Sequence, residues 1–485
     1  MWDKATPLIG VVLSGGLASG CTTIPRHAGF PDVANTVEAR TGLYLQQYGG
    51  APTGLVADTI RELLRDELTV DRAVRIALLN NRALQATLEE LGIARADAVQ
   101  ASLLSNPIFS GHARVPEETG RTNLELALAQ SVVETLLLPL RQRVARAQFE
   151  QTKLHVTDAI LRFLAEIKTA YYTAQVAEQL VTMRQTVLQA TEAAAELAQR
   201  QYDAGNIRDF DLATEQAAHE EAQADLTRAE TERIATREML TQFLGFSGPD
   251  TGAWRMAATL PDLPASDPSP EALETLAIQE RFDLAASRQE LEALRRGLTV
   301  ARFGILPTSA AGINTETEPD GDRVTGPTWD VEVPIFDWGQ ATRGRLKAQL
   351  RQSQHRLAAL EVAVRSDVRT AAARLAAQRQ LVARYQDQLV PLRRQIVASS
   401  QKHFNYMLIG AFQLLQFKQQ EIAAQQAYIE ALRDYWIARA ELERTVGGRL
   451  PETASLPPSS QSPHPEPQPQ EMPGTDHSHH HGGIR

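Results

Sequence analysis

The segment that decides the fold is a long run without helix breakers in the first half of the chain. Residues 140–207 read LRQRVARAQFEQTKLHVTDAILRFLAEIKTAYYTAQVAEQLVTMRQTVLQATEAAAELAQRQYDAGNI. From Leu140 to Ala204 this run contains neither proline nor glycine, so it predicts one helix, which spans roughly 100 Å. Residues 205–207, GNI, predict a chain reversal, because Gly and Asn tolerate the backbone angles that end a helix.

A return helix is predicted to follow the reversal and to pack back along the first helix. Asp209 or Asp211 is expected to cap it, since an aspartate oxygen accepts hydrogen bonds from the free N–H groups of a helix start. The helical pattern then continues to Leu244. The two helices together predict an antiparallel helical hairpin.

This hairpin belongs to a unit that the chain contains twice. A shift of 200 residues places Leu84 on Leu284, and a shift of 202 residues places Gly245 on Gly447. Residues 73–447 are therefore predicted to be an internal duplication of a unit of about 200 residues. Each copy is long enough to hold several helices and strands.

The duplication divides the chain. We predict a lipoprotein-type signal segment at 1–20, an extended arm at 21–68, repeat 1 at 69–248, a proline-rich linker at 249–270, repeat 2 at 271–447, and a disordered tail at 448–485. Each repeat is predicted to hold one helix, then a β hairpin, then a long helical hairpin. The helices are predicted at about 69–104 and 271–304, the β hairpins at 107–131 and 307–335, and the tips near 205 and 408. Pro391 predicts a kink in the second long helix.

The strands of the second β hairpin show the clearest two-sided pattern. Residues 329–333 read WDVEV, so large apolar and acidic side chains alternate. One face of such a strand can contact lipid while the other contacts water. Four short strands cannot close a barrel, and an open sheet in lipid leaves backbone groups unsatisfied. Either several chains share one barrel, or the strands lie outside a membrane.

Composition excludes several classes of protein. The net charge of -10 is interleaved along the chain, so there is no basic stripe for nucleic acid. No stretch after residue 21 approaches 18 uninterrupted apolar residues, so no membrane-spanning helix is predicted. The sequence lacks an HExxH motif, a phosphate-binding glycine loop and a nucleophile motif. We therefore expect neither an enzyme nor a bound cofactor.

The single cysteine, Cys21, cannot form an internal disulfide. Lys4 and a mostly small and apolar stretch at 7–18 precede it. This order resembles a bacterial lipoprotein signal, whose cysteine becomes the acylated first residue of the mature chain. We predict a covalent lipid such as palmitate at Cys21, and an outer-membrane destination because Thr22 rather than aspartate follows. The alternative is an unmodified cysteine in a frayed N-terminus.

Three local motifs carry a resemblance to a known family. Residues 333–339, VPIFDWG, lie at the junction between a strand and a long helix, while residues 202–205, YDAG, and 405–415, NYMLIGAFQLL, lie at the two tips. In this order the chain resembles the TolC-like outer-membrane efflux factors over nearly all of residues 69–447. The second tip looks like that of lipoprotein members linked to heavy-metal resistance.

The resemblance implies a fold and an assembly. The fold class is mainly α with short β hairpins: duplicated long helical hairpins and four strands per chain form, in a homotrimer, a twelve-stranded β-barrel and a helical tunnel. The implied function is a passive exit duct in the outer membrane of a Gram-negative bacterium, with a large periplasmic portion. Its implied partners are a periplasmic adaptor and an inner-membrane pump of the resistance-nodulation-division class. Heavy-metal cations are the implied substrate, and a multidrug or type I secretion duct is the alternative.

One departure from the family concerns the periplasmic end of the duct. Relatives often constrict this end with acidic rings just before the second tip. Here no Asp or Glu lies between Asp387 and Glu421, and basic residues occupy the stretch instead. Lys402 and His403 are therefore our candidates for the constriction.

The two helical tips are the predicted docking sites for the adaptor, because they end the rods whose other ends point to the membrane. Apolar residues stand there where a soluble turn is normally polar, which is typical of an interface. The alternative is that these side chains pack within their own turns. The candidate docking residues are Gly205, Asn206, Ile207, Leu408, Ile409 and Gly410.

The tail is rich in Pro, Ser and Gln, and it is predicted to be disordered. Near its end stand four closely spaced imidazoles that can bind Cu, Ni or Zn ions when neutral. A solvated tail without a metal is the equal alternative. The candidate ligands are His477, His479, His480 and His481.

Two non-transport interpretations compete with the duct. A soluble coiled-coil scaffold explains the long helices, but it gives no role to the alternating strands or to Cys21. An enzyme explains less, because acidic pairs such as Asp209 and Asp211 are accounted for by helix capping.

Overall fold

The fold was obtained as a computed structural model, which describes residues 27–47, 54–115, 117, 122–247, 254–303, 309–318 and 320–450. We number its elements in chain order. The helices of the first half are α1 Phe30–Thr41, α2 Gly54–Leu63, α3 Val70–Asn80, α4 Arg82–Gln100, α5 Val132–Asp203 and α6 Asp209–Leu244. Those of the second half are α7 Pro270–Glu280, α8 Phe282–Phe303, α9 Gln340–Arg384, α10 Val390–Asn405 and α11 Ala411–Val446. The strands are β1 Ile108–Arg114, β2 Asn123–Ser131, β3 Ser309–Thr317 and β4 Arg323–Val331.

The predicted rod is present as the 72-residue helix α5. It begins earlier than the sequence predicts, at Val132, where the Ser131 hydroxyl accepts a hydrogen bond from the backbone N–H of Glu134 at 3.4 Å. Pro139 lies inside the helix and does not end it. A proline this close to the start removes only one hydrogen bond from a very long helix.

The predicted helix at 69–104 is wrong as a single element, because it breaks at Asn81 into α3 and α4. The Asn81 side chain accepts a hydrogen bond from Leu84 N at 2.9 Å, which starts α4. Its amide also donates to the carbonyl of Phe243 at 2.9 Å, near the end of α6. The break therefore places the start of α4 against the end of α6.

The second repeat has the same break. The predicted helix at 271–304 is two helices, α7 and α8, joined at Arg281. Arg281 donates to the carbonyl of Thr445 at 3.4 Å, near the end of α11, and pairs with Asp283 at 2.6 Å. In each repeat, two shorter helices thus meet at a break, and this break contacts the end of the return helix of the long hairpin, α6 or α11.

Gly245 and Gly447 end α6 and α11 at these two junctions. Their φ angles are 70° and 87°, in the left-handed region that favours glycine. A Cβ on Gly245 would lie 2.6 Å from the carbonyl oxygen of Asn80, and one on Gly447 would lie 2.9 Å from that of Glu280. The duplicated glycines are therefore required by both backbone angle and space.

We expect Gly245→Ala to lower the free energy of unfolding by about 2 kcal/mol, from the left-handed backbone and the contact with Asn80. Thermal unfolding followed by circular dichroism measures the change. Gly297→Ala is the matched control, because Gly297 lies inside α8 and its Cβ would meet nothing within 4 Å. That variant should be neutral or more stable by up to about 1 kcal/mol. Equal stability of the two variants would contradict the role of the junction.

The helices form two rows that share α5 and α9. Nearer the strands, α5 packs between α4 and α8, and α8 packs on α9. Nearer the tips, α5 packs between α6 and α11, and α11 packs on α10 and the end of α9. The shared core contains the buried side chains Ile160, Tyr171, Leu240, Val368 and Tyr435. Among the described helices, none is both long and apolar enough to cross a membrane.

In its described parts, 27–47 and 54–68, the arm at 21–68 is not extended as predicted, because these parts contain α1 and α2. Val33 and Val37 lie one turn apart on α1 and are fully buried, so burial of an apolar stripe stabilises the helix. The linker at 249–270 is described from residue 254 onward, and this part contacts α5. In its described part, the carbonyls of Ala257 and Thr259 accept hydrogen bonds from the Gln175 amide of α5 at 2.8 and 2.9 Å.

Pro391 lies where the second long helix is irregular. A π-helical segment, Tyr385–Leu389, joins α9 to α10, and Pro391 is the second residue of α10. The backbone N–H of Val390 donates to the carbonyl of Tyr385, five residues earlier. The kink predicted at Pro391 therefore corresponds to a single π-helical turn directly before the proline.

The four strands form one antiparallel sheet in the order β1-β2-β3-β4. The two β hairpins meet through β2 and β3, where Leu128 lies opposite Ile313. Strand β4 ends before the predicted 325–335 does: its last residue, Val331, is paired with Ser309, and residues 332–334 are not in a strand. The prediction that Glu332 and Val333 continue the strand is therefore wrong.

Candidate functional site

The sheet has one apolar and one polar face. Directly opposite residues of antiparallel strands point to the same side, so the register assigns every side chain to a face. One side, which we call the apolar face, carries Phe109, Ala113, Leu124, Leu126, Leu128, Ala311, Ile313, Pro327, Trp329 and Val331, with Gln130, Thr315, Thr317, Arg323 and Thr325 among them. The other side, the polar face, carries Ser110, His112, Arg114, Asn123, Glu125, Asn314, Glu316, Thr328 and Asp330, with Ile108 and Val324 as its larger apolar side chains.

Hydrogen bonds across the strands hold the polar face together. The Asn123 amide donates to Glu316 Oε1 at 2.6 Å, and the Asn314 amide donates to Glu125 Oε1 at 2.9 Å. Arg114 pairs with the other oxygen of Glu125 at 3.4 Å. These contacts join three strands through charged and amide groups, which suits a face in water.

The apolar face is exposed in the single chain. Trp329 is 66% exposed, Phe109 is 69% exposed and Ile313 is 47% exposed. Neighbouring apolar side chains at this exposure form a continuous patch, which in water marks a surface that another phase or protein covers. The alternation that the sequence predicts at 329–331 is thus part of a pattern that extends over all four strands.

The first tip is a tight turn between α5 and α6. Gly205 has a φ of 73°, and its N–H donates to Tyr202 O at 2.8 Å. Asp211, rather than Asp209, makes the reciprocal capping contact with Arg208, accepting its backbone N–H at 3.3 Å. The Arg208 side-chain hydrogen bond holds the pKa of Asp211 below its ordinary value. Ile207 is half-buried within this turn, while Gly205 and Asn206 are exposed.

The second tip repeats this turn with a methionine in the place of glycine. Met407 has a φ of 56°, which is strained for a residue with a side chain. Its N–H donates to Phe404 O at 2.9 Å, as that of Gly205 does to Tyr202 O. Met407 is not among the predicted docking residues, although the 202-residue shift that aligns Gly245 with Gly447 also aligns Gly205 with Met407.

The candidate docking residues of the second tip differ in exposure. Leu408 is 67% exposed and Met407 is 93% exposed. Ile409 is half-buried, and Gly410 is the residue before α11, with extended backbone. Tyr406, at 77% exposed, extends the apolar surface. The second tip therefore presents a larger apolar surface than the first.

The candidate constriction lies at the end of α10. Lys402 and His403 are exposed, and their carbonyls accept the turn hydrogen bonds of Tyr406 and Leu408 at 3.1 and 2.9 Å. The nearest acid after them in sequence, Glu421, is buried and bonded to Lys418 at 2.7 Å. The exposed charge near the second tip is therefore basic.

Several predicted sites lie outside the described residues. They are the lipid attachment at Cys21 and the four tail ligands His477, His479, His480 and His481. Within the described part of the chain, no group of three or more His, Cys, Asp or Glu side chains is arranged to hold a metal ion.

Comparison with known proteins shows which proteins the chain is similar to. Residues 273–448 match the family model described as outer membrane efflux protein. The chain carries an outer membrane efflux protein domain. This efflux domain covers nearly the whole of repeat 2, including the second β hairpin and the second tip. The expectation of an efflux channel of the outer membrane rather than an enzyme is thereby confirmed.

A similar protein is the cobalt-zinc-cadmium resistance protein CzcC of Cupriavidus metallidurans. It is 25% identical to the chain over 292 residues, which are 59% of this chain and 67% of CzcC. This matched length is greater than that of the efflux domain.

Solved structures have the same fold. The Campylobacter jejuni CmeC outer membrane channel has a TM-score of 0.68 and 16% identity, covering 79% of this chain and 86% of CmeC. CusC has a TM-score of 0.64 and 15% identity, covering 84% of this chain and 97% of CusC. The predicted fold class, with duplicated helical hairpins and four strands per chain, is confirmed.

Proposed function

We propose that three copies of the chain form an exit duct for heavy-metal cations, driven by an inner-membrane pump through a periplasmic adaptor. The observation that carries the proposal is the sheet with one apolar and one polar face at the head of two long helical hairpins. Such a sheet suits the wall of a water-filled barrel in lipid. The helical hairpins extend the passage into the aqueous compartment.

Closure of the sheet requires more than one chain, and we propose three. The outer strands β1 and β4 are antiparallel to their neighbours, so β4 of one copy and β1 of the next continue the alternation. Closure satisfies the backbone groups of both edges, which lipid cannot do. Three copies with four strands each give a twelve-stranded barrel, within the usual range for such barrels.

The proposed cargo rests on the similarity to CzcC, because the name of this relative states the metals concerned. CzcC is named for resistance to cobalt, zinc and cadmium, so these divalent cations are the substrates that we propose. The carboxylates Glu125 and Glu316 on the polar face are compatible with passage of cations. A multidrug or type I secretion duct of the same fold is the alternative cargo class.

An acyl chain on Cys21 is part of the proposal. One acyl chain alone gives only marginal anchoring, but three chains added to a barrel anchor firmly. Cys21→Ser should therefore abolish lipid labelling and leave much of the trimer in the membrane. We further propose that the tail histidines bind transition-metal ions weakly, since a flexible site has no preset geometry.

A deletion strain tests the proposed cargo. Loss of the gene should raise sensitivity to cobalt, zinc and cadmium salts, and the wild-type gene should restore growth. Hydrophobic drugs serve as the comparison, because a multidrug duct changes sensitivity to them instead. Unchanged sensitivity to all three metals, with the protein present in the outer membrane of the parent strain, would reject the metal cargo.

A further inference from the structure

In the row of helices near the tips, the two outermost helices each pack against other helices on one side only. Because α5 is covered by α6 and α11, and α11 is covered by α5 and α10, the outer members of this row are α6 and the rod formed by α9 and α10. Both expose a full helix face in the single chain. Their charges have opposite sign.

The side of α6 is acidic. The helix contains nine acidic and three Lys or Arg residues. Six of the acids are exposed and form no salt bridge in the described chain. Four of them lie within about 80° of one another around the helix axis, and we call these the acidic edge. They are Asp209, Glu220, Glu230 and Glu238.

The opposite side is basic. The exposed bases on the lower part of α9 and on α10 form the basic edge, namely Arg374, Arg384, Arg394 and Lys402. Three of them have no carboxylate within 4 Å in the part of the chain that the structure describes, and Arg394 reaches only Glu421, at 4.0 Å. One acid, Asp387, interrupts this edge. Each edge therefore carries charge that the chain itself leaves unpaired.

The charged residues of the two edges lie at similar distances from the tips. Gly205 and Met407 hold equivalent positions in the two tips, and the groove lined by Arg184, Asp225 and Gln426 shows that both hairpins lie level in the chain. Counted from these tip residues, acids and bases fall at nearly the same levels. The pairs are Glu238 with Arg374 at 33 and 33 positions, Glu230 with Arg384 at 25 and 23, Glu220 with Arg394 at 15 and 13, and Asp209 with Lys402 at 4 and 5. A difference of two positions is only about 3 Å along a helix.

We propose that the acidic edge of one copy binds the basic edge of the next copy. The inference rests on the proposed trimeric duct, and it adds which surfaces meet and what orients them. Contact between unlike edges is head to tail, and it closes into a ring of three when each copy is rotated by a third of a turn from the last. Contact between two acidic or two basic edges is disfavoured, because like charges repel across an interface.

The same contact has a consequence for transport. Basic side chains near a narrow passage repel divalent cations. Ion pairs with the acids of the next copy neutralise Arg374, Arg384, Arg394 and Lys402 within the wall. The excess of base before the second tip is thereby compatible with a cation as cargo.

Charge reversal on purified full-length protein in detergent tests the contact. Glu230→Lys with Glu238→Lys should raise the dissociation constant of the trimer about tenfold or more, since repulsion replaces attraction at each contact of the ring. Arg374→Glu with Arg384→Glu should do the same. The four changes together should restore trimer to near the wild-type level. Multi-angle light scattering at about 0.1 M and about 1 M salt measures the trimer fraction, and high salt should reduce the differences.

Glu192→Lys with Glu196→Lys is the matched control, because it makes the same charge change on α5, which is covered on both sides. It should leave the trimer fraction unchanged. A wild-type protein that is monomeric would reject the trimeric duct itself. A trimeric wild type with edge variants that assemble normally, or with a combined variant that is not restored, would reject the charged contact alone.

Discussion

Replacing Leu128 with arginine is expected to destabilise the membrane-inserted protein by about 2 to 4 kcal/mol. Leu128 lies on the apolar face, opposite Phe109 on one side and Ile313 on the other. Ile313 is the middle residue of the nine-residue strand β3, so this level lies near the centre of the sheet. A charge at the middle of the lipid-facing belt costs most, and the cost falls towards the rims.

The measurement is urea-dependent folding into lipid vesicles, with the trimer fraction in the outer membrane as a second readout. Ala127→Arg is the matched control, because Ala127 is the adjacent residue on the polar face, opposite Ser110 and Asn314. It should cost less, since its arginine reaches water. Similar losses for the two variants would contradict the assignment of the faces.

Local signals in the sequence were sufficient for the rods, the strands and the tips. The absence of helix breakers predicts α5 and α6, and alternation predicts β2 and β4, because these patterns depend on residues close in sequence. The duplication then relates the two halves without any structural information. This is why the fold class could be predicted.

The breaks at Asn81 and Arg281 could not be predicted in this way. Arg281 has no preference for a helix end, and Asn81, although a favoured N-cap residue, stands inside a helical pattern that continues on both sides. Each break is fixed by contact with the end of another helix about 160 residues later, at Phe243 or Thr445. A tertiary contact of this kind overrides a helical pattern that continues on both sides.

The sheet at the candidate site was also only partly predictable from local sequence patterns. Alternation in a single strand predicts two faces, but it does not mark the end of β4, because the pattern continues past Val331 to Val333. Glu332 and Val333 were therefore assigned to a strand that stops at Val331. The charged edges also needed the structure, because only the packing order identifies which helices lie outermost.

The second tip gives the largest expected effect on function. Leu408→Asp with Ile409→Asp should abolish metal resistance in the complemented deletion strain, because carboxylates replace the apolar surface that we propose docks the adaptor. Gln401→Asp with Asn405→Asp is the matched control, since it adds the same charge to exposed positions directly before the tip. Resistance should survive in the control. Crosslinking should show a trimer in the outer membrane for both variants.

A variant at Met407 distinguishes a role in docking from a role in folding at this tip. Its positive φ costs roughly 1 to 2 kcal/mol, which glycine does not incur. Met407→Gly should therefore raise the stability of the turn while it removes a side chain that is 93% exposed. A fall in resistance together with unchanged or raised thermal stability identifies Met407 as a contact residue. Full resistance in both Met407→Gly and the double aspartate variant would place the adaptor contact elsewhere, and loss of the trimer in the double variant would make Leu408 and Ile409 structural.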